Sequence, residues 1–244
     1  MDTRIDEVRD RIFRISTYDA AADFTTNQYL IASDEPLLFH AGYRTTFAAV
    51  SEAVATVVAL DQLRWITFGH VEGDECGSLN QWLAAAPRAT VAHTAIGCMV
   101  QVNDLADRMP RPLADAEVLD LGSHRVRSID TPHVPHGWDA HLLFEETTGT
   151  LFCGDLFTAT GRHEPCSASD IVEPAIMAEA AFRATCLTPA TASTIRALAG
   201  LAPQALALMH GPTFDGDCAR ALDELGAHYA TMHREAAALG AEVP

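Results

Sequence analysis

The sequence predicts an α/β fold. Short β-branched or aromatic runs alternate along the chain with longer alanine- and leucine-rich stretches of helical period. The 244 residues also show no repeat, low-complexity tract, linker or shift of composition that would divide them, so one domain over residues 1–244 is expected. Strands are predicted at 10–15, 27–32, 36–39, 65–68, 89–92, 116–119, 125–129, 140–144, 150–153 and 205–209. Helices are predicted at 44–59, 79–86, 175–198 and 217–239. Between Phe144 and Leu151 a polar cluster ending in Gly149 marks an antiparallel hairpin.

Composition narrows the function. With 48% hydrophobic and 20% charged residues the chain reads as an ordinary globular protein. Its longest apolar runs, such as 53–60, are too short to span a bilayer. The N-terminus alternates charges and lacks the apolar core of a signal peptide, so a cytoplasmic protein is expected, without a membrane partner. With 33 acidic against 16 basic residues, the net charge of −17 repels phosphate backbones, and nucleic acid is not expected as a partner. Six scattered cysteines form no C-x-x-C pair, which excludes zinc-ribbon and thioredoxin readings. They read as small buried hydrophobes. Cys76 stands apart because of its neighbours: besides a filler, it is a candidate soft ligand or redox-sensitive thiol.

Metal-binding side chains gather where strands end, because a loop can turn them inward while the sheet fixes their positions. Four predicted strand ends offer such residues. After 65–68 come His70, Glu72 and Asp74 at alternate positions, which would share one face of an extended loop, then Glu75 and Cys76. After 125–129 come His133 and His136, after 150–153 comes Asp155, and after 205–209 comes His210. Taken alone, His70, Glu72 and Asp74 fit a solvated charged loop as well as a metal site. His93, His141 and His163 lack any supporting motif and read as surface or core residues, and Trp138 as a packing residue.

These residues resemble the metallo-β-lactamase superfamily, and within it the lactamase-like domain of flavodiiron proteins and the stand-alone oxygen-binding diiron proteins. The superfamily's usual motif is H-x-H-x-D-H; the flavodiiron branch has H-x-E-x-D-H with Gly-Ser-Leu soon after. This chain reads His70-x-Glu72-x-Asp74-Glu75, with Gly77-Ser78-Leu79 following. The branch's next His precedes a bridging Asp by 18 intervening residues, the separation of His136 from Asp155. His133 competes for that place but lies three residues too far. Gly137-Trp138-Asp139 looks like the branch's Trp-Pro-Asp, and His210-Gly211-Pro212 is similar to its terminal motif. The resemblance runs from about Thr25 to Phe214.

It implies an αββα sandwich with two metals at one edge of two sheets. His70, Glu72 and His136 would hold one metal, Asp74 and His210 the other, and Asp155 would bridge them. A carboxylate at position 72 makes the site harder and more electron-rich than an imidazole would, which favours two iron ions, with zinc or manganese as alternatives.

Three departures stand out. Glu75 replaces the family's His, and either binds metal as a further carboxylate or leaves that place to water. His40 stands where many superfamily members have Asp, and no flavodoxin domain is expected to follow. The implied function is a non-haem diiron oxidoreductase that binds and reduces dioxygen or nitric oxide with electrons from a separate donor protein. An oxygen-binding sensor without turnover and a binuclear hydrolase of an ester, lactone or thioester are the alternatives. Homodimers are common in the resembling family.

Overall fold

A computed structural model describes residues 1–241. Two seven-stranded sheets form its centre. The first runs in the order β1 (Asp2–Arg9), β2 (Ile12–Asp19), β3 (Phe24–Ile31), β4 (Leu37–Phe39), β5 (Trp65–Thr67), β6 (Thr90–Thr94), β7 (Arg111–Leu113). In the second, β8 (Val118–Asp120), β9 (Arg125–Asp130), β10 (His141–Glu145) and β11 (Thr150–Phe152) lie beside β13 (Ala205–Ala207), β14 (Thr213–Phe214) and β12 (Cys166–Ser167).

Alternation along the strands divides the apolar residues into three layers, because successive side chains point to opposite faces. Tyr29, Ile31, Leu37 and Phe39 of the first sheet meet Val126, Leu143, Phe152 and Ala207 of the second. Their neighbours Leu30, Leu38 and Ile66 face outward, onto Val50 and Val54 of α1 (Phe47–Ala55) and Trp82 and Leu83 of α3 (Leu79–Ala85). On the far side, Leu142, Leu151 and Leu206 pack against α6 (Val172–Phe182), α7 (Thr191–Ala199) and α8 (Cys218–Ala241). The order is helix, sheet, sheet, helix. The one-turn helix α2 (Gly73–Cys76) fills a loop, and α4 (Ala95–Gly97) and α5 (Asn103–Leu105) are the two ends of one continuous helical segment that is π-helical over Cys98–Val102.

The predicted hairpin is present, with Leu143 opposite Phe152 and Glu145 opposite Thr150. The run 10–15 is not one strand, because Asp10 and Arg11 form the turn joining β1 to β2, with Arg11 at φ 55°. The expected helix at 175–198 is two helices. Arg183 ends α6 in a left-handed conformation, and α7 starts only after Pro189. Among the described residues no helix is long and apolar enough to cross a membrane.

Candidate metal centre

His70 lies two residues beyond Phe68 at the end of β5, where the chain bends over residues 69–71, and Glu72 is extended, at φ −142° and ψ 162°. At Gly73 the chain turns helical. The expectation of one extended loop with Glu72 and Asp74 on a shared face is therefore corrected: α2 swings Asp74 and Glu75 off the face that carries His70 and Glu72. The consequence is two sets of side chains instead of one.

In the first set, His70 Nε2 lies 2.7 Å from Glu72 Oε2, and His136 Nε2 lies 3.1 Å from the same oxygen. Asp155 Oδ2 is 3.3 Å from His136 Nε2 and 3.7 Å from His70 Nε2. These four residues each offer a ligand atom within 4.8 Å of the others. In the second set, His210 Nε2 lies 3.3 Å from Asp74 Oδ2 and 3.2 Å from Asp155 Oδ1. Asp155 thus presents one oxygen to each set, and its buried Oδ1 has no hydrogen-bond partner. All six residues singled out in the sequence converge. His133 does not join them: it is exposed, at φ 67°, and its amide donates to the Gly137 carbonyl in a tight loop.

Partners on the far side of two of the three rings orient their imidazoles, whereas His136 Nδ1 has none. His210 Nδ1 donates to the Thr25 carbonyl at 2.8 Å, leaving Nε2 toward the carboxylates. His70 Nδ1 faces Glu75 Oε1 at 3.2 Å. Gly137, at φ +82°, lets the His136 loop close on His70, since a Cβ there would stand 3.1 Å from the His70 Cβ. Asp139 Oδ2 accepts the Val71 amide at 3.1 Å and lies 3.2 Å from His93 Nε2, and His93 Nδ1 is 3.1 Å from His141 Nε2. This buried chain, which sequence reasoning missed, ties the His136 loop to the His70 loop. Asp139 stood out in the sequence as part of Gly137-Trp138-Asp139, but nothing there linked it to His93 and His141.

Cys76 is no ligand here. Its thiol donates to the Glu72 carbonyl at 3.1 Å, and burial pushes its pKa up to about 12. Trp138 is 38% exposed and packs less than expected.

The crowd of carboxylates gives the site a strongly negative potential. Burial alone would lower the pKa of His70, but Glu75, Glu72 and Asp155 outweigh it and raise it to about 12. His210 is raised to about 10, with Asp155 and Asp74 overcoming burial. Hydrogen bonds with His136 and His70 hold the Glu72 carboxyl far below its usual range. Asp155 is lowered to about 2 because His210, His70 and His136 prevail over burial. A site that draws protons onto its imidazoles also favours a cation in their place. The donors are imidazole nitrogens and carboxylate oxygens, a mixture that suits iron, manganese or zinc. With the unpartnered Asp155 oxygen, this set fits two metal ions. Beside it opens a cavity of about 330 Å³, walled by Phe24, Tyr43, Phe157, Phe182 and Tyr229.

The family profile described as ODP family beta lactamase matches residues 24–211. The chain belongs to that family. The matched span holds all six converging residues and both central sheets except β1, β2 and β14. The chain is 29% identical over 200 residues to a diflavin flavoprotein A 2 of Synechocystis sp., covering 77% of this chain and 33% of that protein. The chain thus spans about a third of that relative's length. Similar solved structures include the rubredoxin oxygen:oxidoreductase of Desulfovibrio gigas, with TM-score 0.80, 17% identity, and 93% of this chain and 62% of that chain covered. A flavodiiron core from Synechocystis sp. gives TM-score 0.75 at 22% identity, covering 94% of this chain and 61% of that chain. A fragment of a diflavin flavoprotein A 5 from Nostoc sp. gives 0.76 at 17%, with 96% of each chain covered. These likenesses establish the metallo-β-lactamase sandwich for this member of the ODP family.

Proposed function

We propose that the protein is a non-haem diiron oxidoreductase that binds and reduces dioxygen or nitric oxide with electrons from a separate donor protein. The observation that carries this reading is Asp155, whose two oxygens face two different histidine-carboxylate sets. His70, Glu72 and His136 would hold one iron, Asp74 and His210 the other, and Asp155 both. Similarity to proteins named as an oxygen oxidoreductase and a flavodiiron core supports it. A pair of irons supplies the electron transfer and diatomic-ligand binding that no side chain here provides.

The chain's own residues prepare the place. Glu72 contributes an anionic oxygen where an imidazole would leave a softer site. Phe24, Phe157 and Phe182 keep the cavity wall apolar, which favours a small, weakly hydrated ligand over water. Tyr43, on the same wall, holds its Oη proton: burial, Asp74 and Glu72 push its pKa up to about 12.

Metal analysis of protein purified without added metal, with optical spectra before and after air, tests the reading. Two irons per chain and an oxygen-dependent visible band are expected, followed by turnover when a reductase and reductant are supplied. Iron with reversible oxygen binding and no turnover would make it a sensor, and stoichiometric zinc without iron would return it to the hydrolases.

A further inference from the structure

Glu75 occupies the place of a histidine in the resembling motif, yet its carboxylate does not reach toward His210, which pairs with Asp74 and Asp155. It lies behind His70 with no exposed surface. Oε2 accepts the His70 amide at 2.7 Å. Oε1 stands 3.2 Å from His70 Nδ1 and 3.6 Å from Nε2 of the buried His40. His40 Nδ1 is engaged with the Asn27 carbonyl at 3.2 Å, so its Nε2 is the atom turned to Glu75. The backbone of Glu75 is pinned as well, because its carbonyl accepts the amides of Ala41 at 2.6 Å and Gly42 at 3.3 Å.

Two glycines make room for this arrangement. A Cβ on Gly69 would stand 3.1 Å from both carboxylate oxygens, and one on Gly154 would stand 3.7 Å from Oε1. These glycines immediately precede His70 and Asp155, so the carboxylate rests in a slot between the backbones that carry two of the converging residues.

We propose that Glu75 is a positioning residue for His70 and not a metal ligand, so that this chain's two metal positions are unequal: among the described residues His70, Glu72, His136 and Asp155 face one, and Asp74, Asp155 and His210 face the other. The inference rests on the two-metal reading above, though not on iron or on redox chemistry. Two physical reasons support it. Swinging the carboxylate outward would strip the buried His70 amide of its acceptor, which is unfavourable. Kept in place, its Oε1 attracts the Nδ1 side of the His70 ring at 3.2 Å, a charge contact short of a hydrogen bond, which leaves Nε2 outward and more electron-rich.

Calorimetric titration of chelator-stripped full-length protein with Co²⁺ tests this. The wild type should fill in two steps at least tenfold apart in affinity. Asp74→Ala should remove the weaker step, and His136→Ala should weaken the tighter one. Glu75→Gln, which keeps the side chain's size, should weaken the tighter step by about 10–100-fold, the usual effect of losing a partner behind a metal-bound histidine. Loss of the weaker step with the tighter one intact would make Glu75 a ligand and overturn the proposal. If Glu75→Gln does not fold, by circular dichroism, the wild type and Asp74→Ala decide: equal steps, or loss of the tighter step in Asp74→Ala, would overturn it. A folded wild type that takes up no Co²⁺ would overturn the two-metal reading as well, whereas two ions bound in the wrong order overturn only this inference.

Discussion

Glu75 and Glu145 are both carboxylates with no exposed surface, but they are housed differently. Glu145 ends β10, and the hairpin turn wraps it: Oε1 accepts the Thr147 amide and Oε2 the Thr148 amide, each at 2.8 Å, while Thr148 Oγ1 adds a third bond. His124 Nδ1 stands 3.1 Å from Oε1. Glu75 has one hydrogen bond, at Oε2, and its Oε1 has none. A saturated carboxylate holds a turn in shape. An undersaturated one is expensive for the fold, and such departures collect where function demands them. The difference separates a residue that builds the molecule from one that tunes its site.

Replacing Glu145 should break the fold side of this contrast most severely. Glu145→Leu leaves the Thr147 and Thr148 amides and the Thr148 hydroxyl without their acceptor and removes the carboxylate that faces the buried His124, which costs about 3 kcal/mol. For a chain of this length that lowers the melting temperature by about 6–12 °C. Metal affinity should not change; a parallel fall in both quantities would erase the distinction. A pH series sharpens it. Burial raises the pKa of Glu145, but the Thr148 and Thr147 donors prevail and hold it below 4.5. Its stabilising contribution is therefore complete above 4.5 and is lost as pH falls through the depressed folded value. The stability gap between wild type and Glu145→Gln, measured by urea unfolding, should narrow in acid and stay constant above pH 6. A gap that widened in acid would reverse the assignment. The smallest effect belongs to Glu75→Gln, whose unfolding free energy without metal should differ from wild type by less than about 1 kcal/mol, since the Gln oxygen can still accept the His70 amide and the lost attraction to His70 is offset by no longer burying a charge. A loss as large as that at Glu145 would make Glu75 a structural residue too.

The same contrast explains what could be read from the sequence. Strand-end residues such as His70, Asp155 and His210 were legible because each follows a distinct apolar run and belongs to a spaced motif. The hairpin around Gly149 was legible from its turn chemistry. The role of Glu75 was not, because a residue's direction at the start of α2 depends on the left-out methyl groups of Gly69 and Gly154, one of them far away in the chain. The link between His93 and Asp139 spans 46 positions and leaves no local signature. Strands such as β7, β12 and β14 are two or three residues long, too short for an alternation to register. The edge strand β1 is largely solvent-facing and charged, so its pattern resembles a polar terminus. The break in 175–198 turns on a single backbone conformation at Arg183, which alanine-rich flanks conceal.

The origin of the converging side chains carries one more consequence. His70, Glu72 and Asp74 follow a strand of the first sheet, whereas His136, Asp155 and His210 follow strands of the second. Asn27 and Tyr29 of the first sheet already reach across to the Leu208 carbonyl, at 2.8 and 2.9 Å. Cations bound at this edge would rivet the two halves of the sandwich together, and their binding free energy would count directly as resistance to unfolding. At a free metal concentration a hundred times the dissociation constant, that amounts to about 2.7 kcal/mol. The temperature at which the protein survives then becomes a readout of how much metal its surroundings supply.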